Sequence, residues 1–378
     1  MRGPSDLLAW RDEFPAVKST TFLGAHTLGP ASRRVRAAID HFLDTWERKP
    51  SAERIWFEDI IPEMRRLEGL YARVIGADAD EVALTPAVST GLSSLASSLS
   101  FEEQDEIVLS RQEFPTDCHV WLAQEPRGAR VVWVDGKDER AYADALGPRT
   151  RVVSASRVSY LDGAMLDAAA LAGACRANGT FCVLDDYHGA GVVPFDVHAA
   201  GPEALVGGPL KYLLGGPGIA FVYVRRDVAP SLEPTITGWF SQRDFFAFDG
   251  SKIDWPESAQ RLALGTPSPT AVFSAAAGLD MILEVGVERI RERTLELTAY
   301  LIDRAAEGRY VVRTPLDPER RGAMVAFEVA DSKRTLERLL DLDVIVDERH
   351  GALRVCPHFY SSEDDVDALF DALRRLGV

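Results

Sequence analysis

One lysine in this chain is set apart from the others. Lys211 lies within Gly207-Gly208-Pro209-Leu210-Lys211-Tyr212-Leu213-Leu214-Gly215-Gly216-Pro217-Gly218, an apolar segment walled by glycines. Lys18, Lys49, Lys137, Lys252 and Lys333 sit instead among polar or turn residues and read as solvated. Desolvation lowers the pKa of an amine and favours the neutral form that attacks a carbonyl, although a lysine that merely snorkels from a loop fits the same residues. A second reactive group is Asp185-Asp186-Tyr187-His188, two carboxylates and an imidazole directly after an apolar run at 181–184. The residues alone leave open which of the two carboxylates meets a ligand; Asp186 reads as an exposed neighbour, and the spacing of His188 from Asp185 favours a functional over a core histidine. A third is Thr85-Pro86-Ala87-Val88-Ser89-Thr90-Gly91, a small-residue turn that opens a helix after the run at 81–84. Its backbone N–H groups and positive dipole end suit a phosphate; a plain N-cap by Ser89 or Thr90 accounts equally well for the same residues.

These groups need a frame that brings strand ends together. Apolar runs at 81–84, 106–109, 130–134, 151–154, 181–184 and 219–224 are rich in Val, Ile, Leu and Phe with little polar alternation, as expected of strands covered on both faces. Helical patterns at 91–99, 117–124, 139–146 and 166–178 separate them, which predicts parallel pairing and an α/β architecture. The 219–224 run follows a glycine-rich loop with no helix before it, so an antiparallel strand is expected there. In such sheets ligands sit beyond the carboxyl ends of the strands, where the reactive groups above fall. The last third changes character. A long helical pattern over 270–307 is followed by strands at 324–329, 344–347 and 353–355 and helices at 333–340 and 363–376, a small α+β unit. The expected division is an N-terminal segment, 1–50, joining the small domain, a large domain over 51–265, and a small domain over 266–378, with Pro267–Pro269 as the passage between them.

Composition narrows the classes further. A chain of 378 residues with 46% hydrophobic content can bury a large core. Its net charge of −16 leaves no basic surplus for nucleic acid. Cys118, Cys175, Cys182 and Cys356 form no CxxC pair and read as free thiols, so neither a zinc site nor a disulfide framework is expected. Met1 to Glu13 has no export-signal pattern, and no run approaches the roughly 20 apolar residues of a membrane helix. A cytoplasmic protein with no membrane partner is the expectation.

Taken together, the motifs resemble the class V aminotransferase group of fold-type I pyridoxal 5′-phosphate (PLP) enzymes, and within it the sequence is similar to kynureninases. The resemblance runs from Phe22-Leu23-Gly24-Ala25-His26-Thr27-Leu28-Gly29-Pro30 to Leu353-Arg354-Val355-Cys356-Pro357-His358-Phe359-Tyr360, and includes Glu113-Phe114-Pro115-Thr116-Asp117, Tyr212-Leu213 and Gly238-Trp239-Phe240. It implies a large, mostly parallel sheet domain with a small α+β domain, and a cofactor carried as a Schiff base on Lys211. Asp185 would pair with the ring nitrogen and His188 would lie near the ring. Phe114 would stack on it, while Val88 and Ser89 would cradle the phosphate with Thr116 and Asp117 nearby. Arg354 would fork the substrate α-carboxylate, and His26 stands among the residues that read the substrate. Trp239 and Thr266 would reach a cofactor site partly from the neighbouring subunit, which implies a homodimer acting on a small amino acid.

The chain departs from kynureninases at three places. Leu210 replaces the Tyr usual before the lysine, Gly265-Thr266-Pro267 replaces Ser-Asn-Pro, and His26 replaces an Asn. These positions lie where a side chain would be read. The leading expectation is a kynureninase-like hydrolase or lyase. A class V aminotransferase, an epimerase or a C–S lyase is the alternative, and a PLP-binding protein without turnover is the reading of another class. Persulfide formation is disfavoured, because no cysteine falls in an obvious mobile loop.

Overall fold

The computed structural model describes residues 4–49 and 51–378. The apolar runs assemble into a seven-stranded sheet in the order Val82–Thr85, Ala220–Val224, Ala204–Gly207, Phe181–Asp185, Thr150–Ser156, Asp105–Ser110, Ala129–Val134. Only Ala220–Val224 runs against its neighbours. It follows the glycine loop without a crossover helix, and a parallel return requires one. Ala204–Gly207 is a strand that the sequence pattern did not reveal. Of its four residues only Val206 has strong β-propensity, and the strand is ordered by burial between two longer strands. Helices Val88–Ser97, Pro115–Leu122, Glu139–Ala143, Ala168–Asn178 and Val197–Ala200 make the crossovers, so the parallel strands end along one edge.

The expected helix over 270–307 is two helices, Pro269–Val285 and Val287–Glu307, bent by 78°. Gly286 makes the break with φ 90° and ψ 127°, a conformation costly for any residue with a Cβ. The apolar period continues across it, which is why periodicity alone suggests one helix. Pro269–Val285 packs on Arg33–Arg48 and Ile61–Ile75 and belongs to the core beneath the large sheet. Leu301 and Ala305 of the second helix join a separate core with Phe327, Leu353, Val366 and Leu369. Val287 and Ile290 of that helix still belong to the large core, so the helix passes from one core to the other along its length. At Pro267–Pro269, Ser268 caps a helix that packs on the large core. The two helices meet the length and hydropathy of a membrane span only as this bent pair, and no single helix among the described residues does.

The small sheet is Asp347–Arg349, Ala352–Val355 and Val325–Glu328, all antiparallel. The expected strand at 344–347 is split. Val344–Ile345 pairs with Thr21–Phe22, whereas Asp347–Arg349 forms a hairpin with Ala352–Val355. His350 and Gly351, with φ 51° and 85°, make its two-residue turn. Gly24 also bridges Cys356, so this stretch of the N-terminal segment lies on the small domain, while Arg33–Arg48 lies on the large one.

The small domain also grips the loop that carries Lys211. Buried His358 accepts from the Phe359 N–H at Nδ1 (2.8 Å), and its Nε2 lies 3.0 Å from the Tyr212 carbonyl, so Nε2 holds the ring proton and donates it. Cys356 Sγ contacts the Tyr212 hydroxyl at 3.3 Å. Burial pushes the His358 pKa down to about 4. Between that value and about 6.5 the unfolded chain binds a proton that the folded chain does not, so stability rises with pH across this window and is fully present above it. The apoprotein is expected to lose roughly 3 kcal/mol more stability than His358→Gln as pH falls from about 7 to about 4, read by urea unfolding. Parallel losses would show that this imidazole is not held neutral.

Candidate active site

The strand ends surround a cavity of about 240 Å³. Ala87, Val88 and Ser89 enter it after Val82–Thr85, and Phe114 and Thr116 after Asp105–Ser110. Tyr160 enters after Thr150–Ser156, Asp185, Tyr187 and His188 from the end of Phe181–Asp185, and Lys211 after Ala204–Gly207.

Lys211 Nζ lies 2.6 Å from His188 Nε2. Burial draws the amine down to about 8, against the attraction of Asp185 and with the repulsion of Arg354. Burial also holds His188 well below its ordinary value, reinforced by Lys211, so the imidazole is neutral and its Nε2 can accept from the amine. Asp185 is buried and takes the Tyr187 N–H at 2.7 Å. Burial raises its pKa, while the Tyr187 N–H and Lys211 act the other way. Asp117, on the first turn of Pro115–Leu122, is buried with no hydrogen-bond partner on either oxygen. Burial raises it well above the carboxylate range, and the charges of Asp185 and Glu113 push the same way, so Asp117 keeps the proton. Glu113 accepts from Tyr142, from the Ser156 hydroxyl and from the Ser156 N–H at 3.1 Å, tying two strand ends beneath Phe114.

The helix Val88–Ser97 begins without a side-chain cap. Its N-cap is Ala87, which has no acceptor to offer, so the simple capping explanation for Ser89 and Thr90 does not hold. Its free N–H groups open on the cavity beside Ser89 Oγ and Thr116 Oγ1, themselves 3.1 Å apart.

Arg354 and His26 lie behind this wall. Arg354 is buried, donates to the Tyr160 carbonyl at 2.5 Å and pairs with Asp347, and its Nε has no partner. His26 is fully buried, 3.8 Å from Asp347, with neither ring nitrogen hydrogen-bonded. Burial and the charge of Arg354 hold it neutral. Trp239 and Thr266 are exposed and do not line the cavity, so within one chain they are not brought to the other candidates. Asp186, expected to be exposed, is buried and paired with Arg157 at 2.6 and 3.1 Å. It follows Asp185 into the loop, but its side chain points into the protein. Phe114, by contrast, is 41% exposed and is no core residue.

Asp347, Tyr160 and Tyr187 were not singled out by sequence. Asp347 had a usable signal: the His350-Gly351 turn sets a register in which Asp347 faces Arg354 across the hairpin. Tyr160 and Tyr187 had none, because an aromatic in a loop after a strand carries no address.

The residues present fit PLP. An uncapped helix end with two hydroxyls suits its phosphate, a buried carboxylate suits its ring nitrogen, and a desolvated amine suits its aldehyde. Fold and site together define a fold-type I PLP-dependent enzyme. A family model described as Aminotransferase class-V matches residues 28–369, and the chain belongs to that family. It is 30% identical over 366 residues to an uncharacterized aminotransferase, YcbU, of Bacillus subtilis, covering 96% of both proteins. It is 29% identical to a kynureninase of Deinococcus radiodurans, covering 90% of this chain and 85% of that protein. A solved structure of a C-DES mutant with glycine covalently linked to its PLP cofactor superposes with a TM-score of 0.89 at 20% identity, over 96% of this chain and 98% of that one. The cofactor is pyridoxal 5′-phosphate.

Because Lys211 is held at about 8, apoprotein labelling at this residue by an amine-reactive reagent should rise with pH through about 8. Asp185→Asn removes the opposing attraction and should shift the Lys211 midpoint lower, read by mass spectrometry of the labelled peptide. A Lys211 midpoint near the ordinary lysine value of about 10.5 would contradict desolvation.

Proposed function

We propose that this chain binds PLP through Lys211 in the cavity and acts at the Cα of a small amino acid, cleaving the side chain in the manner of kynureninases. The observation that carries the reading is the buried, partly neutral Lys211 amine, 2.6 Å from His188 and facing Asp185. Val88 and Ser89 at the helix end hold the phosphate with the Thr116 hydroxyl, and Asp117 lies beside Asp185. Phe114 would cover one face of the cofactor ring, and Asp185 would pair with the ring nitrogen and favour its protonated form. Arg354 receives the substrate α-carboxylate with its free Nε–H and the hydrogens that Asp347 and the Tyr160 carbonyl leave unused. His26 offers its unpartnered imidazole beside it. The bound cofactor supplies a sink for the electron pair left at Cα. Lys211 Nζ takes the Cα proton and returns it, and neutral His188 accepts a hydrogen bond from that amine.

Leu210 favours a second reading, amino-group transfer without side-chain cleavage. It places an apolar side chain in the cavity wall, with no hydroxyl to serve a departing group. The two readings separate on one assay. With kynurenine or 3-hydroxykynurenine the first predicts an anthranilate and alanine at roughly 1 per second or faster. The second predicts no anthranilate, with conversion of the cofactor to its amine form that a 2-oxo acid reverses. A cofactor band that answers to no amino acid would sink both.

The second copy of the chain completes the site in this reading. Trp239, Ile236, Phe248 and Ile253 form an exposed apolar stretch that suits an interface between copies. Light scattering should give a dimer. Mixing the inactive variants Lys211→Ala and Trp239→Ala should restore about a quarter of the activity, since half of the dimers then carry one intact site of two. No recovery from a confirmed mixed dimer would show that Trp239 serves its own chain.

A further inference from the structure

The cavity carries an aromatic ring that no role above uses. Tyr187 lines it together with Phe114, and Lys211 Nζ lies 4.5 Å from the Tyr187 centroid and 5.7 Å from that of Phe114. The two rings come from different strand ends and have different surroundings. Phe114 is exposed and meets Tyr160 edge-on at 5.2 Å. Tyr187 is half-buried and lies edge-on against the lysine loop. A Cβ built on Gly208 would stand 2.5 Å from Tyr187 Cε2 and 3.0 Å from its hydroxyl oxygen. Both aromatic faces are thus within reach of a flat ring joined to Nζ.

We infer that Tyr187 is the second stacking surface for the cofactor ring, facing Phe114 across it, with its edge and hydroxyl seated against Gly208. This rests on the reading that PLP occupies this cavity on Lys211. The hydroxyl is turned to the glycine, so the ring face and not the O–H is what the cofactor meets. Burial and the Asp185 charge push the phenol up to about 12, so it stays neutral and its π face stays available to a cationic ring. The same residue donates its N–H to Asp185 at 2.7 Å. One residue thus fixes the carboxylate that charges the ring nitrogen and covers the ring so charged. The segment is rigid enough for this. Asp186, next in the chain, is locked by Arg157, and its N–H is bonded to the Val206 carbonyl at 2.8 Å.

The test titrates apoprotein with PLP and with pyridoxal, which lacks the phosphate, following the absorbance of the bound cofactor. Wild-type protein is examined first, with borohydride trapping. If the label is not on Lys211, the cavity reading fails, and the inference falls with it for that reason. With that established, Tyr187→Ala should weaken both ligands by roughly threefold to tenfold, whereas Tyr187→Phe stays within about twofold of wild type. Losing a phosphate contact would instead weaken PLP alone. Gly208→Ala should weaken both ligands by displacing the tyrosine ring, yet add nothing in the Tyr187→Ala background. Tyr187→Leu, which keeps bulk without a π face, replaces the alanine variant if that one does not fold, with the same loss expected. Wild-type affinity in a folded Tyr187→Ala or Tyr187→Leu protein would overturn the inference, and so would a Gly208→Ala effect that is equal in both backgrounds.

Discussion

An amine is useful as a nucleophile only while it is neutral, and water opposes that at neutral pH. Lys211 moves toward that condition by position, since burial brings its amine down to about 8 and leaves a neutral fraction that a solvated lysine lacks. Its loop is fastened at the backbone, by the Gly29 N–H on the Leu210 carbonyl at 2.9 Å and by His358 on the Tyr212 carbonyl, so the side chain remains in its desolvated place. The amine cannot return to water without breaking bonds that lie on two domains. A small domain that contributes only part of the cavity wall is in this way necessary to the chemistry of the large one.

Burying one cation sets the terms for its neighbours. His188, His26 and His358 all lie in dry surroundings near the lysine loop, and each is held neutral by burial. Asp185 has its opposite charge across the cavity, and Asp117 gives up its charge in turn. Arg354 stays ionised beside them because Asp347 accompanies it into the interior. Burial works against ionisation of Asp347, but the charge of Arg354 and the Glu348 N–H outweigh it and hold the carboxyl below its ordinary range. Buried charges survive when they are paired and hydrogen-bonded, and the Arg157–Asp186 pair under the same strand end follows that rule.

The cavity is assembled from residues far apart in the chain, and the sheet makes this possible. Parallel strands end on one edge, so each crossover delivers one short loop to the same place. The one antiparallel strand of the large sheet, Ala220–Val224, follows the lysine loop directly and returns the chain beneath it without another helix. Tyr71, on Ile61–Ile75, stacks on Phe221 at 4.0 Å and packs this strand from below.

Much of this was written into local sequence. Continuous apolar runs specify strands buried on both faces, and intervening helical periods specify crossovers. The solitary lysine among glycines, the carboxylate after a strand and the small-residue helix start are local too, since each depends on what its own few neighbours permit. Three kinds of information were not local. Period does not register a break when the apolar pattern continues across it, as at Gly286. The fate of a carboxylate depends on which cation meets it, so Asp186 looked exposed until Arg157 arrived from another strand end. Ring faces depend on distant backbone, and Tyr187 has its orientation only because Gly208 lacks a side chain. The sequence by itself determined the element types, the fold class and the reactive amine, because propensity, periodicity and desolvation by near neighbours act over short stretches. Tertiary structure alone decided which buried charges are paired, where the domains part and which aromatic rings face the cavity, because those follow from contacts between segments that the chain order does not bring together.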